Sequence, residues 1–141
     1  MQAKEIYDGQ ADLWVRHEPV LLSDYSARPR VLELCGDVTG MSILDLGCGE
    51  GYVGRRLAER GAAVIEGHDV SAAMIEGARR TTSALGLDNL TYTTSDLRQA
   101  EFGDPDAPVD LVIAVFLFNY MDTAAMSRIL SRVRSVLKPG G

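Results

Sequence analysis

Cysteine and histidine are scarce in this chain, with two of each in 141 residues. Cys35 and Cys48 stand 13 positions apart with no C-x-x-C pair and no clustered histidine, which argues against a disulfide framework and a structural zinc site. Two free thiols and no bound metal are the expectation. His17 and His68 have no partner at ligand spacing, so each is expected in a structural or solvent-facing role. No apolar run approaches the roughly 18 residues of a membrane span. The opening MQAKEIYDGQ carries acids where an export signal has a basic end and a greasy stretch, so a cytoplasmic protein with no membrane partner is expected. Dense Lys/Arg blocks are missing as well. Lys+Arg 14 against Asp+Glu 20 leaves a net charge of −6 and a pI near 4.8, which removes the usual electrostatic footprint of a nucleic-acid binder. Repeats, glycosidase-like carboxylate pairs and Ser–His or Cys–His nucleophile arrangements are equally absent.

What is present is a hydrophobic fraction of 46%, enough for one globular core. From Met41 onward, β-branched or aliphatic runs alternate with helical periodicity. Strands are expected at 42–46, 63–69, 90–94 and 109–116, and helices at 52–60, 72–85 and 123–137. Such alternation predicts an α/β fold, a doubly wound parallel sheet with right-handed crossovers placing helices on both faces. The last helix is the clearest: Met126, Ile129, Leu130, Val133 and Leu137 share a stripe, and Pro139-Gly140-Gly141 ends it. Val109–Phe116 is apolar except at Asp110, the mark of a central strand covered on both faces. Residues 1–40 read as a helical cap, with a helix over 4–16 and a second over 30–34 opened by Pro29. Residues 41–141 form the sheet-bearing core.

The most informative stretch is Ile43 to Gly54, a strand running into glycines at 47, 49 and 51 and then a helix from about Tyr52. Glycines there allow a sharp turn and let a ligand approach bare main chain. Gly49-Glu50-Gly51-Tyr52-Val53-Gly54 formally satisfies G-x-G-x-x-G, and Asp69 follows Gly51 by 18 residues, as a ribose-binding acid does in dinucleotide sites. Charge argues the other way. Asp45 and Glu50 lie in or beside the loop and would repel a pyrophosphate. S-adenosylmethionine brings no phosphate; its ammonium and sulfonium suit neighbouring carboxylates such as Asp45, and its carboxylate suits the helix N-terminus near Tyr52. Asp45, Asp69 and Asp96 all fall at the C-terminal ends of expected strands, where an open parallel sheet binds ligands.

D-x-G-x-G-x-G, here Asp45-Leu46-Gly47-Cys48-Gly49-Glu50-Gly51, resembles the first motif of class I S-adenosylmethionine-dependent methyltransferases of the small-molecule type. Gly67 to Ile75 is similar to the segment closing that family's second strand, which implies Asp69 on the ribose hydroxyls and Val70 and Met74 against adenine. Thr94-Ser95-Asp96-Leu97 resembles the segment after the third strand, implying Asp96 on the adenine amino group and Leu97 beside the ring. Val109–Ala114 and Leu137–Gly141 look like the fourth strand and the turn into a fifth. The resemblance implies a Rossmann-like sheet of order 3-2-1-4, with Tyr7 of the cap as a lid over the cofactor.

Phe116–Met121 should border the place where the methyl group emerges. Similar enzymes often carry a histidine there, whereas this chain has Asn119 and Tyr120, which become the catalytic candidates without a named base. The family's C-terminal strands do not follow the Lys138-Pro139-Gly140-Gly141 turn, which leaves two readings: the sequence is a fragment of a longer protein, or the fourth strand exposes an edge that a second copy completes, and the favoured expectation is a homo-oligomer. The expected activity is methyl transfer to a small-molecule acceptor. An NAD-dependent oxidoreductase and a non-catalytic S-adenosylmethionine-binding or dimerising module are the alternatives.

Overall fold

A computed structural model describes residues 3–14 and 19–141. The cap holds α1 (Ala3–Trp14), α2 (Leu22–Tyr25) and α3 (Ala27–Leu34). The core then alternates β1 (Ser42–Leu46), α4 (Tyr52–Glu59), β2 (Val64–Asp69), α5 (Ala72–Ala84), β3 (Leu90–Thr94), β4 (Leu111–Ala114) and α6 (Thr123–Val136). Arg16 and His17 lie outside the described residues, so the far end of the first expected helix does too.

The four strands pair in parallel in the order β3-β2-β1-β4. Alternate side chains build two cores. Ile43, Ile65, Leu90 and Ile113 pack with Val53 and Leu57 of α4 and Ile75 and Ala78 of α5. On the other face Leu44 and Leu46 meet Phe102 and the α6 residues Ile129 and Val136. Helices therefore cover both faces, and every strand ends on the same edge.

Several boundaries differ from the sequence expectation, each for a physical reason. β4 covers only four residues and occupies the sheet edge rather than its centre; Ala114 is exposed. Val109 instead forms an isolated parallel bridge to Leu137, donating to Val136 O at 2.8 Å and accepting from Lys138 N at 3.0 Å. On α6, Leu130 faces solvent and Val136 takes the buried place expected for its neighbours. α3 starts before Pro29, which sits in the first turn, where a missing N–H costs no helical bond. α2 went unrecognised because it is a single turn organised by a side chain: buried Asp24 accepts from the N–H groups of Val20 at 3.1 Å and Leu21 at 2.9 Å. Among the described residues, no helix is long and apolar enough to cross a membrane, and no three potential metal ligands cluster.

Candidate functional site

A cavity of about 820 Å³ opens where the strands end and the cap overhangs them. The loop after β1 forms its floor. Gly47 and Cys48 both donate N–H groups to His68 O, at 2.8 and 2.9 Å, which ties the loop to β2. Gly49 has φ +56°, lines the cavity, and a Cβ there would meet nothing within 4 Å, so a ligand has access to bare backbone. Gly51, expected as a cofactor contact, does not line the cavity. Its φ is +83° and a Cβ would lie 2.3 Å from the Tyr92 hydroxyl, so glycine is required for the turn into α4.

Two carboxylates dominate the floor. Asp45 is 3% exposed, and burial together with the charge of Asp69 pushes its pKa up to about 7, against the lowering effects of Arg28 and the Gly54 N–H. That N–H belongs to the first turn of α4, so Asp45 itself occupies part of the helix N-terminus expected to hold a ligand carboxylate. Asp69 accepts from Gly49 N and Ser71 N, each at 2.9 Å. Burial raises its pKa, with those two N–H groups and that of Val70 opposing the rise. Glu50 contributes less than its charge suggests: it is buried in an ion pair with Arg55 at 2.6 Å, and Arg55 also bonds the Glu50 carbonyl. Cys48 is an inert wall, its thiol raised well above the usual range by burial and by Asp45 and Asp69.

At the ends of β2 and β3, Val70, Met74, Asp96 and Leu97 line the cavity as expected. Asp96 is gripped by its neighbour, with Arg98 Nε on Oδ1 at 2.8 Å and Nη2 on Oδ2 at 2.6 Å, which lowers its pKa. Overhead, Tyr7 of α1 meets Tyr120 hydroxyl to hydroxyl at 2.9 Å, edge to face, with ring centroids 6.0 Å apart. Trp14 lies 5.7 Å from Tyr7. Burial, and then the bond to Tyr120, push the Tyr7 phenol well above its usual pKa. Tyr120 and Asn119 sit on the 3-10 turn Phe118–Tyr120, reached through Phe116 at φ +59°.

Sequence reasoning missed Arg28. It lines the cavity from α3 and its guanidinium carbon lies 5.7 Å from the Tyr52 ring centroid. Its hydrogen bonds among the described residues all use Nη1, to Asp24 Oδ1 at 2.5 Å and Ser23 Oγ at 2.9 Å. The remaining guanidinium N–H groups suit an anionic ligand group. A cation beside a glycine cradle, buried Asp45 and half-buried Asp69 fits a zwitterionic amino-acid tail, with the nucleoside toward Asp69 and Asp96.

Known proteins resemble the chain in sequence and in fold. A pattern described as a methyltransferase domain matches residues 43–141. The ubiquinone biosynthesis O-methyltransferase of Pasteurella multocida is 28% identical over 149 residues, 99% of this chain and 57% of that protein. An S-adenosylmethionine-dependent methyltransferase from Mesorhizobium loti superposes with TM-score 0.70 at 32% identity, covering 84% of this chain and 51% of that one. Magnesium protoporphyrin IX methyltransferase of Synechocystis PCC 6803, solved with bound S-adenosylhomocysteine, shares the fold at TM-score 0.75 and 23% identity, over 96% of this chain and 66% of that one. The chain spans half or less of several curated relatives it matches. With its family pattern running through the entire sheet-bearing core, the chain belongs to the methyltransferase-domain family.

Proposed function

We propose that this domain binds S-adenosylmethionine and serves methyl transfer to a small-molecule acceptor. The observation that carries the reading is the pair of acids, buried Asp45 and half-buried Asp69, beside the open backbone of Gly49, with Arg28 lining the same cavity. A pyrophosphate would meet those acids in a desolvated site, whereas an ammonium and a sulfonium gain from them. Asp45 suits the ammonium, Arg28 the carboxylate, and Asp69 the ribose hydroxyls. Val70, Met74 and Leu97 offer apolar contact to adenine, and Asp96 an acceptor for its amino group. Bound there, S-adenosylmethionine supplies an activated methyl group; the residues of the chain align the partners and exclude water.

The acceptor end lies under Tyr7, Trp14, Asn119 and Tyr120, where Asn119 and Tyr120 are the residues positioned to meet it. Relatives named for ubiquinone biosynthesis and aklanonic acid support an organic small molecule as acceptor. Radiolabelled methyl transfer into a small-molecule fraction of a cell extract tests the activity. Label in that fraction supports the reading, and label confined to protein or nucleic acid contradicts it. Tyr120→Phe should cut the rate several-fold; an unchanged rate removes that hydroxyl from the chemistry.

A further inference from the structure

Behind the β3 end of the cavity lies a polar line that none of these roles uses. His68 on β2 is 3% exposed, its Nδ1 lies 3.0 Å from Ser95 Oγ, and Phe102 packs beside it with ring centroids 6.3 Å apart. Its Nε2 lies 2.8 Å from Glu66 Oε1 but outside hydrogen-bond geometry, and it has no other partner among the described residues. Ser95 lines the cavity beside Asp96 and Leu97, its backbone fixed by donation to Asp69 O at 2.8 Å.

We infer that Ser95 is a further ligand-reading residue, its hydroxyl held by His68 and Glu66 as a pure hydrogen-bond acceptor toward an aminopurine. A ring lone pair 2.8 Å from a carboxylate oxygen would be repelled, so the imidazole proton belongs on Nε2. Nδ1 then carries the lone pair and accepts the Ser95 O–H. The only hydrogen of that hydroxyl points inward, and its lone pairs remain for the cavity. A fixed acceptor welcomes the exocyclic amine of adenine and opposes the 6-oxo group of hypoxanthine. Arg98 engages both oxygens of Asp96 and leaves each with fewer lone pairs for the ligand, so the Ser95 hydroxyl adds a second acceptor beside it.

The inference rests on the adenosyl reading, and one titration series separates the two. The probes are S-adenosylhomocysteine and its 6-oxo counterpart, S-inosylhomocysteine, measured by calorimetry on the full chain. Wild type should prefer the amino compound, and Ser95→Ala should reduce that preference about ten-fold, mostly through weaker binding of the amino compound. His68→Leu, which leaves Ser95 in place but frees its hydrogen to turn, should also reduce the preference. A simple packing role for His68 would weaken both probes alike. Wild type binding neither probe overturns the adenosyl reading and this inference with it. Wild type binding S-adenosylhomocysteine, with a preference that Ser95→Ala leaves unchanged or increases, overturns this inference alone.

Discussion

Asp45 is the residue on which the site's electrostatics turn. Its ordinary value is 3.8 and burial moves it to about 7. Between those values the folded chain keeps a proton that the unfolded chain has lost, so this group makes stability fall as pH rises through the window, by at most about 4 kcal/mol. Asp45→Asn should flatten that segment of the stability–pH curve relative to wild type and raise the melting temperature at pH 8, as measured by calorimetry. The same variant should weaken S-adenosylmethionine about ten-fold or more, because the amide offers the ammonium no charge. Wild-type affinity should rise toward pH 7 as the carboxyl ionises, and the variant should lose that dependence. Asp45 was legible in the sequence as the acid opening the glycine motif. Its position as a helix cap, and the neutralisation of Glu50 by Arg55, were not, because both depend on which way buried side chains point.

Among the elements, the loop from β1 to α4 separates binding from folding within three positions. Gly51 is hemmed in by the Tyr92 hydroxyl at 2.3 Å, while Gly49 faces open space, though both have positive φ. Gly51→Ala should cost about 3 kcal/mol of stability through strain and overlap, and Gly49→Ala about 1 kcal/mol through strain alone. Binding should respond in the opposite order, with Gly49→Ala intruding on the ligand; chemical denaturation and titration of the two variants read both effects. The strand–glycine–helix pattern made this loop visible in the sequence, since local spacing dictates it. β4 was harder: apolarity at nearly every position suggested a central strand, but burial there also comes from α6 and from the Val109–Leu137 bridge, which sequence periodicity does not encode. α1 shows the same limit. Its helical pattern was readable, whereas its attachments come from two distant loops, through Tyr7 to Tyr120 and through Asp8 to Ser71 Oγ at 2.6 Å.

For the whole molecule, topology explains why the site is where it is. A parallel order of β3-β2-β1-β4 brings Asp45, Asp69, Ser95 and Asp96 to one edge from segments far apart in the chain, and the cap brings Arg28 and Tyr7 over them. Alternating strand and helix patterns were sufficient to anticipate that Asp45, Asp69 and Asp96 meet at one edge, whereas Ser95 was not among the expected site residues. Arg28 escaped notice because nothing local marks it: it acts through α3 being laid across the end of the sheet. The decisive measurement is a pair of calorimetric titrations of the intact chain, one with S-adenosylhomocysteine and one with NAD. Micromolar binding of the sulfur nucleoside with no heat from NAD is the predicted result. Tight NAD binding with no response to S-adenosylhomocysteine would contradict it.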